Sequence, residues 1–365
     1  MNGYPVIPGS AMFLDHLLGL LFIVHILFMN YVLAAPLLTV WYLWTRPSDG
    51  RMFAKWISAA LPVMFTFAIN FGVASLLFVQ ALYADRFFTA NVILGKIWLS
   101  VIGLLMVAYY GVYYVRGVLV KSERGGLRVG LGGLVITGLV WAIALIMIAN
   151  YFITTDQANW HSLLKSPNGV IQNTTFIPRA LHFIFGSFAV TGLWMVWMSW
   201  WRGKRGAAES DVLSFRRQGL LLAAGATGFQ VIDGIWFLLL QPSEIWDALF
   251  SGSIPGMVWI SGVAAGLMLL GSLIVAAVFP LRAFWQKVST GLLFWTLIGM
   301  VAGRDVIRHS LFGKDYSLGV MAHTPQVRPM LIFFCLLLAG IGVMIWLIGL
   351  IWDAPPKPSE STEKE

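Results

Sequence analysis

Long apolar runs alternate along the chain with short stretches that carry most of its charge. The runs lie at 11–44, 56–84, 91–115, 129–153, 177–201, 218–240, 256–280, 288–303 and 329–352. A helix rises 1.5 Å per residue, so about 20 apolar residues cross the roughly 30 Å hydrocarbon layer. In lipid, each backbone polar group must also be bonded within its own segment. Runs of this length predict transmembrane helices in preference to barrel strands. Nine of them predict an all-α integral membrane protein, a nine-helix bundle with its two ends on opposite sides. Residues 1–352 then form a single membrane domain, and 353–365, rich in Pro, Lys and Glu, a disordered tail. No basic region precedes the first run, which is therefore expected to be a retained helix and not a cleaved signal.

Charge orients the bundle. With the N-terminus outside, the inner loops and the tail hold 16 of the 24 Lys and Arg residues, from Arg46, Arg51 and Lys55 through the 116–128, 202–217 and 282–287 stretches to Lys357 and Lys364. Basic residues favour the inner side, which predicts N-out and C-in, in a multi-pass protein of the cytoplasmic (inner) membrane. Trp41, Tyr42, Trp44, Trp200 and Trp201 suit an interfacial aromatic belt. The composition, 59% hydrophobic and 11% charged, excludes a water-soluble core, and it turns the net charge of +8 into a topology signal instead of a nucleic-acid one. The single Cys335 lies in the last apolar run, so neither an internal disulfide nor a Cys-x-x-Cys-His haem attachment exists.

In that topology none of the six histidines falls on the inner side: His16 and His25 lie on the first span, His161 before the fifth, His182 near its outer end, and His309 and His323 after the eighth. Ionisable residues within a membrane are rare and mark function, and a neutral imidazole is a common axial ligand for haem iron. His182 sits in RALHFIFGSFAVTG, where Gly186 and Ala189 follow on the same helical face, a side-chain-poor surface suited to a porphyrin or to close helix packing. Arg179, three residues earlier, is placed to pair with a haem propionate. His25 lies deeper and needs a partner; His16, nine residues away, projects from the opposite face. His16, His161, His309 and His323 near the interface are read as solvated or hydrogen-bonded histidines. Lys96 either snorkels to the outer interface or meets a propionate. Asp233, a carboxylate within the sixth span, should be paired, protonated or part of a proton path, with pairing ranked first. Arg304 and Arg308, i and i+4 at the outer end of the eighth span, suit carboxylates of haem or of a partner, or a solvated helix end.

These residues resemble subunit I of the cytochrome bd quinol oxidases over nearly the whole chain. His25 in VHILF looks like that family's first-helix haem ligand, and LHFIFGSFAVTG resembles the fifth-helix segment whose histidine binds the low-spin haem b, which implies that role for His182. Asn70-Phe71, Ala149-Asn150-Tyr151 and Gly303-Arg304 resemble further family stretches. There are departures. The family's two glutamates on the third helix have no counterpart in NVILGKIWLSVIGLL, which offers Lys96. The methionine that is the second ligand of the low-spin haem falls near Gly262, with Met257 and Met268 the nearest substitutes. The long quinol-binding loop shrinks to QPSEIWDALFSGSIP, where Glu244 stands near the family's acidic residues.

The expectation is a haem-b membrane subunit for quinone-linked electron transfer, an oxidoreductase of a respiratory chain. It would carry two or more non-covalent haems b and use quinol as substrate. Its partners would be a second membrane subunit, membrane lipids and a separate outer-face c-type cytochrome. A terminal quinol oxidase reducing oxygen is the alternative, disfavoured by the missing third-helix carboxylates. A haem-free scaffold or transporter is the alternative from a different class.

Overall fold

The computed structural model describes residues 10–46, 48–122, 126–313 and 327–353. They form twelve helices: α1 (Ala11–Thr45), α2 (Gly50–Leu82), α3 (Ala84–Leu94), α4 (Lys96–Lys121), α5 (Gly126–Thr155), α6 (Trp160–Lys165), α7 (Phe176–Lys204), α8 (Glu209–Leu239), α9 (Ser243–Leu249), α10 (Ile254–Val278), α11 (Ala283–Phe312) and α12 (Val327–Asp353). Among the described residues no strand occurs, and eight helices, α1, α2, α4, α5, α7, α8, α10 and α11, are long and apolar enough to cross a membrane. The ninth expected span falls on α12, whose apolar part covers Val327–Val343 among the described residues. His323, Lys314 and the tail 354–365 lie outside the described residues. The end of the bundle carrying Arg179 and Arg304 is called outer here, after the charge pattern.

One expected segment is divided. The run 91–115 begins inside α3, breaks at Gly95, and continues as α4 to Lys121. The cause is local: Gly95 has φ +52, a conformation that L side chains rarely adopt, and it lets the chain turn between the two helices. α4 then runs along the outside of the bundle, burying only Ala108, Val112, Val115 and Leu119, a single stripe at helical spacing.

α1 is the spine. From Tyr31 to Pro36 every residue is buried, because α2, α5, α7 and α11 all pack around it. Donors from the neighbours bond its carbonyls: Trp194 Nε1 to Leu27 at 3.1 Å, Thr191 Oγ1 to Asn30 at 3.3 Å and Trp141 Nε1 to Leu33 at 3.0 Å. Tyr31 returns a bond to the Ile57 carbonyl of α2 at 2.7 Å. In lipid the apolar effect does not hold helices together, so close backbone approach and such bonds do. α7 and α8 cross where Gly192 meets Gly219. α10 and α11 cross where Gly262 meets Gly299, a Cβ on Gly262 falling 2.5 Å from the Gly299 Cα.

Candidate functional site

His25 stands 14 residues into α1, about 21 Å along the helix axis. Its Nδ1 lies 2.8 Å from the carbonyl oxygen of Ala68 on α2. A carbonyl can only accept, so the proton sits on Nδ1 and Nε2 keeps its lone pair. The approach depends on Gly72, one turn beyond Ala68: a Cβ there would lie 2.7 Å from His25 Cε1 and 2.9 Å from Nδ1. The ring is part-exposed, its Nε2 has no partner among the described residues, and Phe22 lies beside it at 6.0 Å between centroids.

His182, on α7, is arranged in the same way with a different acceptor. Its Nδ1 is 3.1 Å from Asp233 Oδ2 on α8. Asp233 is 5% exposed and its Oδ1 has no partner among the described residues, whereas the His182 side chain is 32% exposed. The expected pairing of Asp233 is met, with a partner that the sequence did not name. Gln230, one turn before it, donates to the backbone carbonyl of His182 at 3.4 Å. The small-residue face does not lie open. A Cβ on Gly186 would come 2.9 Å from the Gln230 amide of α8, and Ala189 is buried, so close packing accounts for these small residues.

Arg179, one turn outward of His182, is held by aromatic faces. Its guanidinium carbon lies 4.3 Å from the Tyr151 ring centre, 5.1 Å from Phe237 and 5.3 Å from Phe152. No carboxylate pairs with it among the described residues, and its buried Nε has no acceptor. A cation fixed by three rings and lacking an anion is chemically ready for a carboxylate.

Arg304 and Arg308 are already paired. Asp305 Oδ1 accepts from Arg304 Nε at 2.9 Å and NH2 at 2.7 Å, and from Arg308 at 3.1 Å; Asp15 Oδ1 accepts from Arg308 at 2.9 Å and from the Tyr83 hydroxyl at 2.8 Å. His309 Nε2 reaches the same hydroxyl at 3.0 Å, so this histidine is hydrogen-bonded as expected. Burial pushes the Tyr83 phenol well above its ordinary range, which keeps it a donor. The cluster ties the outer ends of α1 and α11 to the α2–α3 junction. Sequence reasoning missed Asp15, Tyr83 and Asp305. The signals available were a carboxylate inside the first apolar run and another between the two arginines. Arg304 also stacks on Phe22, its guanidinium carbon 4.0 Å from the ring centre, and Phe22 in turn neighbours His25, which links this cluster to that histidine.

The remaining candidates stand apart. Lys96 is exposed as the first residue of α4, and Glu244 is exposed in the first turn of α9. Met257 is 52% exposed at the outer end of α10, and Met268 is exposed on the same helix. His16 is exposed, with Nδ1 2.6 Å from the Met12 carbonyl, and His161 is exposed on α6.

Among the described residues no three His, Cys, Asp or Glu side chains converge on one point, so a bare metal ion held by protein side chains alone has no cage there. Haem needs none, because the porphyrin supplies the equatorial nitrogens and the protein only axial ligands. Two imidazoles with Nδ1 engaged and, among the described residues, no partner on Nε2, with an arginine that has no carboxylate there beside one of them, fit that requirement.

No protein-family model matches the chain, and no curated protein matches its sequence. Among solved structures it is similar to the bd oxidase from Geobacillus thermodenitrificans, with a TM-score of 0.75 and 14% identity, over 97% of this chain and 100% of that one. At that identity the likeness speaks for architecture: this is a multi-pass, all-helical membrane protein with the fold of a bd oxidase chain.

Proposed function

We propose that the chain is a haem-b membrane subunit for quinone-linked electron transfer in the cytoplasmic membrane, with His25 and His182 as axial ligands of two haems. The observation that carries this reading is the state of the two imidazoles: in each, Nδ1 is committed to an acceptor on the neighbouring helix and Nε2 has no partner among the described residues. Ligating histidines are held in this way, their second nitrogen bonded to a carbonyl or carboxylate that fixes tautomer and ring orientation.

Haem, when bound, supplies a reversible one-electron couple. The chain's own residues do the rest. Ala68 and Asp233 hold the imidazoles, Gly72 leaves room for His25 to reach its acceptor, and Arg179 offers its ring-held guanidinium to a carboxylate at the outer end. Asp233 spends one carboxylate oxygen on His182, and neither α3 nor α4 carries a membrane-embedded acid in the 91–105 stretch, so proton delivery for oxygen reduction has little to work with. Quinol oxidation on the outer side, a second membrane subunit and a separate outer-face c-type cytochrome belong to this reading.

The test is a reduced-minus-oxidised spectrum with haem quantification on the purified protein and its His182→Ala and His25→Ala variants. Non-covalent haem b is expected in the wild type, and each variant should lose a different component. A wild type without haem, or variants with unchanged haem content and spectra, would overturn the reading.

A further inference from the structure

We propose that Asp233 is a positioning residue that sets the reduction potential of the iron held by His182, an inference resting on His182 being an axial haem ligand. The chain holds two histidines in the same manner but gives them unlike acceptors. His25 faces the Ala68 carbonyl, a neutral dipole, at 2.8 Å. His182 faces a carboxylate oxygen at 3.1 Å.

The carboxylate is undiluted. Asp233 is 5% exposed and, among the described residues, Oδ1 receives no hydrogen bond, so no second donor there spreads its charge. Gln230, the nearest candidate on α8, directs its amide to the His182 backbone carbonyl instead. Gly234 adds no side chain between the two helices, since a Cβ there would still lie 3.6 Å from His182 Cε1. A buried carboxylate opposite Nδ1–H draws that proton and makes the imidazole a more basic ligand. A more basic axial ligand, with a negative charge behind it, favours the oxidised iron, and second-shell hydrogen bonding is a recognised lever on haem potential. The Ala68 carbonyl acts in the same sense but without the charge. The structure thus assigns the two sites different electronic settings from the acceptors alone.

The experiment is a redox titration of the purified full-length protein, followed by its haem absorption bands, for wild type, Asp233→Asn, Asp233→Glu and His182→Ala. Asp233→Asn keeps the size and a hydrogen-bond acceptor but removes the charge. At a fixed ambient potential its ferrous-to-ferric ratio at the His182 haem should rise about tenfold, an upward shift of ~59 mV for a one-electron couple. The His25 haem should stay where it was, and Asp233→Glu should titrate with the wild type. A merely structural role would lower haem content without moving the potential of the haem retained. Wild-type potential in Asp233→Asn, an equal shift of both haems, or an equal shift in Asp233→Glu would overturn the proposal. Should Asp233→Asn lose its haem, Asp233→Glu decides: retention at the wild-type potential supports the proposal, and loss there as well assigns Asp233 to packing and overturns it. If His182→Ala keeps every haem, the ligand assignment itself has failed, an outcome readable independently of either Asp233 variant.

Discussion

Gly72→Ala adds a single methyl group facing the His25 ring, yet it should disable that site. The new Cβ would lie 2.7 Å from His25 Cε1, and ordinary contact begins at 3.4 Å, so the ring must retreat by about 0.7 Å. The bond from Nδ1 to the Ala68 carbonyl, 2.8 Å long, would stretch to about 3.5 Å and cease to be one. Losing it costs about 0.5–1.5 kcal/mol net, and overpacking a filled site adds about 1–3 kcal/mol. Together that is about 1.5–4.5 kcal/mol against the bound arrangement, or a roughly 10- to 1,600-fold weaker hold on haem at about 1.4 kcal/mol per tenfold. Helix α2 itself should not suffer, since Ala is a better helix former than Gly by about 0.5–1 kcal/mol. The assay is the haem-to-protein ratio and reduced spectrum of the purified variant, compared with His25→Ala. Gly234→Ala is the matched control, because its Cβ would meet His182 Cε1 at a comfortable 3.6 Å. Wild-type haem content and spectrum in Gly72→Ala, or an equal loss in Gly234→Ala, would refute the reasoning.

Gly262→Met places a family-like methionine at the α10–α11 crossing, where its Cβ would stand 2.5 Å from Gly299 Cα. The neighbour is backbone and cannot rotate away, so the expected result is a loss of about 3 kcal/mol or more in stability, seen as a lower melting temperature in detergent; a new methionine-ligated haem spectrum would contradict it. Asp15→Ala removes an acceptor from both Tyr83 and the buried Arg308, and should cost about 3 kcal/mol; an unchanged melting temperature would show the cluster to be idle. Given quinol, the purified complex is expected to reduce an added soluble cytochrome c readily and consume oxygen slowly. Rapid oxygen uptake that disappears in Asp233→Asn would instead establish an oxidase site built around that residue.

The span pattern was legible because lipid leaves a helix few alternatives, and eight of the nine apolar runs coincide with membrane-length helices. Gly95 broke the third because a glycine within an apolar run reads as tolerable until its positive φ is seen. The candidate ligands were legible as histidines at depth, but their partners were not. His182 and Asp233 are separated by 51 positions, and nothing in either local sequence says that α7 and α8 turn these faces together. Ala68 is harder still, since a backbone carbonyl has no residue identity to read; only Gly72 hints at it, and only once the helices are paired. The face of Gly186 and Ala189 was read as open or packed, and the structure sets Gly186 against Gln230 of α8 and buries Ala189. Arg308 looked available because Asp15, 293 positions away, completes its pairing.

The donors that bond the Leu27, Asn30 and Leu33 carbonyls bear on what sort of machine this bundle can be. A carrier that works by alternating access needs a central helix that slides or rocks, and each such stroke would have to shear these bonds in a medium with no water to replace them. A stationary wire has the opposite requirement: its stations must keep their separation through every turnover, because a drifting gap means a drifting rate. A first helix bolted at successive turns, with His25 less than one turn from the first bolt, is built for standing still.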